Sequence, residues 1–191
     1  MSITALVILA PGFEEIEAIT VVDILRRADI DVTTAGTVGG VIAASRGTRH
    51  VADHDLEAVQ DRIFDLVVLP GGIEGTANLA ADDRVRDILS AQAASSRYIG
   101  AICAAPTALH AFDLIHREDT YTCHPGARAG MPTDNLRPDD RVVVSRRLIT
   151  SQSAGTAMEF AYALVRELQG EEKLEQVDAG VLAPVPSSAA V

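Results

Sequence analysis

The feature that most restricts this chain is its alternation of short apolar runs with longer amphipathic stretches. Apolar runs occupy Ile3–Ala10, Ile63–Leu69 and Tyr98–Ile102, with weaker extended segments at Val32–Ala35, Val142–Val144 and Leu148–Thr150. Strands covered by helices on both faces read this way, because neither side of the pleat meets water. Between the runs, Val21, Ile24, Leu25 and Ala28 recur at i, i+3, i+4 and i+7, which predicts a helix over about Glu14–Ala28. Val85, Ile88 and Leu89 predict another over Asp82–Ala93. Ala154, Ala157, Met158, Ala161, Leu164, Val165 and Leu168 predict a third over Ala154–Leu168. A shorter helix begins just after Cys103. Gly39-Gly40, Val41–Ala44 and Ser45-Arg46-Gly47 suggest a small antiparallel excursion. The fold class expected is α/β, with a mostly parallel central sheet.

A length of 191 residues fits one domain. Residues 1–178 are expected to form it. Residues 179–191 are expected to be a flexible tail, because nothing beyond Gly180 keeps a period. The net charge of −11 opposes binding to phosphate backbones, so a nucleic-acid partner is not expected. Two cysteines do not make a disulfide framework, and no run approaches a membrane-spanning length. The expected compartment is the cytoplasm, where thiols stay reduced.

Cys103 follows the Tyr98–Ile102 run directly and precedes the helix-forming Ala-Ala-Pro-Thr-Ala-Leu. That places its sulfur at the carboxyl end of a parallel strand and beside a helix N-terminus, where ligands bind in open α/β sheets. The N–H groups and helix dipole there are expected to lower the thiol pKa and make a nucleophile. The bland alternative is a buried structural cysteine. Glu17 is the second candidate. Extending the apolar stripe back from Ala28 through Ile24 and Val21 lands on Glu17, whereas Glu15 points toward solvent. A carboxyl on a buried stripe is costly unless paired or protonated, and such a group can act as general acid or base. The alternative for an acid in a first turn is to complement the helix dipole, which Glu14 fits better.

Gly71 and Gly72 follow the Ile63–Leu69 run, and with the Ala104 N–H their backbone donors could form an oxyanion hole. A lone Gly-Gly after a strand is otherwise only a turn. His124 lies in a loop-like stretch and could orient or deprotonate Cys103, or sit at the surface. Cys123 beside it gives thin support for zinc without a C-x-x-C spacing, so no metal site is expected.

Taken together, the segments Gly12–Glu17, Val67–Gly72, Ile102–Thr107, His124-Pro125, Ile149–Ser151 and Gly155–Ala161 resemble the ThiJ/PfpI superfamily. The branch they are most similar to is the DJ-one, or parkinsonism-associated deglycase-like, type. The likeness runs in order from Ile3 to about Val177. It implies a flavodoxin-like three-layer sandwich and a homodimer. Cys103 matches the reactive cysteine, Glu17 its partner glutamate and His124 the site histidine, with Gly72 and Ala104 as oxyanion donors. It further implies a cofactor-independent glutathione-independent glyoxalase or deglycase acting on small reactive carbonyls. The alternatives are a redox-sensing or chaperone protein with an oxidisable Cys103, and a cysteine amidase or peptidase. The last needs an acid near His124, and none appears before Asp134.

Overall fold

The computed structural model describes residues 2–183. Strand β1 (Thr4–Leu9) alternates between two cores: Ala5, Val7 and Leu9 face one, Leu6 and Ile8 the other. Helix α1 (Glu15–Arg27) follows, capped by the Glu14 carboxylate, which accepts the Glu17 N–H at 2.9 Å. The chain continues through β2 (Asp31–Gly36), the hairpin β3 (Val41–Ala43) and β4 (Arg49–Val51), and the short β5 (His54–Asp55). Next come β6 (Leu66–Leu69), α2 (Ile73–Ala80), α3 (Asp83–Ala94), β7 (Tyr98–Ile102) and α4 (Pro106–Ala111). The antiparallel pair β8 (Val142–Ser145) and β9 (Leu148–Ser151) leads into α5 (Ala157–Gln169) and α6 (Glu171–Val181).

The main sheet has seven strands in the order β5-β2-β1-β6-β7-β9-β8, and only the β8–β9 pair is antiparallel. Leaving out β5 and β8, the strands lie second, first, third, fourth, fifth, which is the flavodoxin-like order. Val21, Ile24 and Leu25 of α1, Phe160 and Leu164 of α5, and Leu174 of α6 pack on one face. Leu79 of α2, Val85 and Leu89 of α3, and Leu109 of α4 pack on the other. The result is a three-layer α/β/α sandwich. Strands are added to one side of β1 first and then, from β6 onward, to the other. Because β1, β6 and β7 are parallel, the turns that follow them gather at the carboxyl end of the sheet, beside that switch point.

The expected strands, hairpin and three long helices are present, with differences at their edges. The run at Ile63 becomes a strand only at Leu66, because Asp65 turns aside to accept the N–H and hydroxyl of Thr4. Residues 154–156 form a 3₁₀ turn before α5 begins at Ala157. Two helices had no counterpart in the sequence reading. The glycines around Gly72–Gly75 conceal α2, and α6 is held by Leu174, Val177 and a 2.6 Å bond from the Tyr162 hydroxyl to Asp178. The tail expected from residue 179 therefore starts as helix through Val181, and residues 184–191 lie outside the described residues. Among the described residues no helix is long and apolar enough to cross a membrane.

Candidate active site

Cys103 turns the chain from β7 into α4 with φ at 66°, in the left-handed region that an L-residue occupies at a cost of about 1–3 kcal/mol. Its backbone is held on both sides, the N–H by the Ser151 carbonyl at 2.9 Å and the carbonyl by the His124 N–H at 2.8 Å. Pro106 then starts α4. The half-buried thiol projects at the carboxyl end of the sheet, as a strand-to-helix elbow requires.

Glu17 reaches this thiol from α1 and is fully buried, as its place on the apolar stripe predicts. Its Oε2 accepts the Gly71 N–H at 2.8 Å. The other oxygen, Oε1, is buried without a well-formed hydrogen bond; the Cys103 thiol and the Ala154 N–H are the further groups that act on the carboxyl. Gly71 can lie between them only because it lacks a side chain. A Cβ there would stand 2.6 Å from Glu17 Oε2 and 2.7 Å from Cys103 Cβ. Gly72 has a φ of 92°, and a Cβ there would clash with the Gly12 carbonyl; its N–H and that of Ala104 both act on the Cys103 sulfur.

Burial pushes the Glu17 carboxyl up to about 7, against the lowering effect of the Cys103 bond and of the Gly71 and Ala154 N–H groups. Burial also pushes the Cys103 thiol up to about 12, and the charge of an ionised Glu17 adds to it. This reverses the direction expected from the helix terminus. The N–H groups of Gly72 and Ala104 do pull down, but desolvation and the neighbouring carboxylate outweigh them. These shifts leave the last proton of the pair on the sulfur once Glu17 has ionised near neutrality, and the two groups titrate as a coupled pair. With that proton on Glu17, the carboxyl O–H and two backbone N–H groups all face a thiolate.

The remaining candidates fall into place differently. Gly71 is not a free oxyanion donor, because its N–H is committed to Glu17. The Gly72 and Ala104 N–H groups instead act on the Cys103 sulfur. His124 is joined to Cys103 through the backbone, but its ring Nδ1 accepts the Gly126 N–H at 3.0 Å, so the neutral ring carries its proton on Nε2. Cys123 belongs to the core on the opposite face of the sheet from the one Cys103 packs against, and burial raises its thiol. It does not face Cys103. Among the described residues no three His, Cys, Asp or Glu side chains gather as a metal site. Glu15, expected in solvent, instead accepts bonds from Ser45, Arg46 and Thr48 of the hairpin turn. The Ala154 N–H that acts on Glu17 leaves no pattern in the sequence, being a backbone donor more than a hundred residues away.

The family model for the DJ-1/PfpI family matches residues 3–167, and the chain belongs to that family. It is 42% identical over 184 residues to the Drosophila melanogaster protein dj-1beta, covering 95% of this chain and 98% of that protein. The crystal structure of Drosophila DJ-1beta superposes with a TM-score of 0.92, covering 97% of this chain and all of that one at 40% identity. A Caenorhabditis elegans protein named glutathione-independent glyoxalase DJR-1.2 is 38% identical, covering 89% of this chain and 91% of its own length. Toxoplasma gondii DJ-1, solved in an oxidized form, is 30% identical with a TM-score of 0.92, covering 96% of this chain and all of that one.

Proposed function

We propose that the protein is a cofactor-independent glyoxalase that converts methylglyoxal-type α-oxoaldehydes to hydroxy acids without glutathione. The observation that carries this reading is the buried Glu17 carboxyl against Cys103, raised to about 7 and therefore able both to give and to take a proton near neutrality. The Cys103 thiolate adds to the aldehyde carbon, and Glu17 gives its proton to the new alkoxide, forming a hemithioacetal. The N–H groups of Gly72 and Ala104 hold the oxyanion on the way. Glu17, now a carboxylate, removes the C1 hydrogen and returns a proton to C2. This isomerisation leaves a 2-hydroxyacyl thioester on Cys103. Water then releases the hydroxy acid and restores the thiol, with no net redox change and no cofactor. His124 assists through Nε2, the ring atom that Gly126 leaves free. Release of amines or thiols from carbonyl adducts, a deglycase activity, uses the same thiol and proton carrier.

The name of the Caenorhabditis relative supports this reading. The peptidase alternative is weakened by His124, whose Nδ1 accepts a backbone N–H where a triad acid would need a donor. A redox-sensing role for Cys103 is the second reading, favoured by the oxidized state of the Toxoplasma relative. A protonated Glu17 would donate to a sulfinate as it does to a thiolate. We further propose that the protein works in the cytoplasm as a homodimer. Its exposed Ile16 and Ile19 on α1 would be covered by a second copy, which light scattering in solution would detect. For the glyoxalase reading the test is lactate production from methylglyoxal without glutathione. Wild type should turn over, Cys103→Ser should not, and Glu17→Gln should be slower by at least about a hundredfold. Background lactate from all three, with peroxide adding mass to Cys103 only, would leave the sensor reading.

A further inference from the structure

The hairpin β3–β4 forms a separate two-stranded sheet, and a two-stranded ribbon is marginal without outside support. Ile42 and Ala44 anchor it in the main core, and its backbone and turn are fastened by one short segment. The Gly12 N–H donates to the Ala43 carbonyl and the Ser45 N–H to the Phe13 carbonyl, both at 2.8 Å. The Phe13 ring meets His50 edge-on, with centroids 5.2 Å apart. Glu15 fastens the turn: its carboxylate accepts the Arg46 N–H at 2.7 Å and the hydroxyls of Ser45 and Thr48 at 3.0 Å each. The other side of that segment bonds to the turn that carries the site's donors. The Glu14 N–H donates to the Gly71 carbonyl at 3.0 Å, and the Gly75 N–H to the Gly12 carbonyl at 3.2 Å. Residues 12–14 therefore bridge the hairpin and the Gly71-Gly72 turn.

We infer that Glu15 is a positioning residue: by fastening the Ser45–Thr48 turn it holds residues 12–14 against Gly71–Gly75 and so sets the Gly72 N–H on the Cys103 sulfur. Glu15 does not touch the thiol and acts through two layers of backbone bonds. Its four-donor environment keeps it ionised, with its pKa held at about 2. This inference rests on the reading of Cys103 and Glu17 as a reactive pair. Loss of the clamp slackens the Gly72 donor and makes the thiolate harder to form. Loss of a negative charge on α1, taken alone, would make it easier. The two effects have opposite signs, so one measurement separates them.

The test is the pH profile of Cys103 alkylation by iodoacetamide, followed by intact mass. Glu15→Gln and the pair Ser45→Ala/Thr48→Val are the probes, and Tyr162→Phe is a control that loosens α6 on the far side of α1. Weakening one charge-assisted N–H bond predicts alkylation slower by roughly three- to tenfold at pH 7.5 in both probes. Combining them should add little, because both remove one clamp. The control should follow the wild-type profile. If Glu15→Gln fails to fold, the Ser45/Thr48 pair, which keeps the carboxylate, carries the test. Unchanged or faster alkylation in the pair would overturn the inference while leaving the reactive pair intact. A wild-type Cys103 that iodoacetamide fails to alkylate at any pH at which the protein stays folded would take down both readings.

Discussion

Replacing Glu17 by Gln should change how the protein's stability depends on pH, by an amount the structure sets. Glutamine has nearly the shape of glutamic acid. Its carbonyl can accept the Gly71 N–H, and its amide can donate toward the sulfur. What it lacks is the proton. In the unfolded chain Glu17 ionises near 4.5, and in the folded protein burial raises this to about 7. Between those values the folded protein binds more protons than the unfolded one, so its stability falls as pH rises through that window. A rise from 4.5 to about 7 corresponds to about 3 kcal/mol at 1.36 kcal/mol per pH unit. Every other carboxylate is common to both proteins and cancels when they are compared. Relative to wild type, Glu17→Gln should therefore gain about 3 kcal/mol on going from pH 4.5 to pH 8. At about 2–4 °C per kcal/mol for a domain of this size, that is a relative rise in Tm of roughly 6–12 °C. Thermal or urea unfolding at the two pH values measures it. Parallel pH dependences would refute the reasoning, because they would show Glu17 ionising in the folded protein as it does in water.

Gly71→Ala should both destabilise and inactivate. The new Cβ must displace Glu17 Oε2, the Cys103 Cβ or the Ile102 carbonyl, all within 2.8 Å of it, at a cost of about 1–3 kcal/mol, read by urea unfolding. His124→Ala should lower kcat less than tenfold and leave the alkylation profile of Cys103 in place, since the ring bonds Gly126 and not the thiol. Glu17→Gln, which removes the proton carrier, should cost 10²–10⁴-fold in kcat, the usual range for general acid–base catalysis. Equal kcat losses in the histidine and glutamate variants would show that the ring, not the carboxyl, moves the proton.

Glu17 was legible because helical periodicity is a strong signal: Val21, Ile24 and Ala28 share its face and are all buried. Cys103 was legible because an apolar run ends on it. The layers and the parallel sheet followed from the same alternation. The Gly71 N–H was assigned to the oxyanion because a glycine after a strand says only that a backbone donor is accessible. Which acceptor takes it depends on Glu17, 54 residues away. Glu15 was placed in solvent for a related reason. Helical phase reports only which way a residue faces on its own helix, and the hairpin that covers it arrives some 30 residues later. The direction of the thiol's shift was missed because the helix terminus is visible in sequence, while desolvation and the facing carboxylate exist only in the fold. Helix α2 was hidden by the glycines that the site itself requires.

In the proposed reaction Cys103 holds the carbonyl while Glu17 carries a proton from C1 to C2. Turnover of methylglyoxal in D₂O, with the lactate examined by proton NMR, tests it most directly. A carboxyl that exchanges with solvent between taking and giving its proton predicts lactate bearing deuterium at C2, and none from Glu17→Gln. Lactate that keeps only the substrate's own hydrogen at C2 would mean a direct hydride shift, and would contradict the role assigned to Glu17.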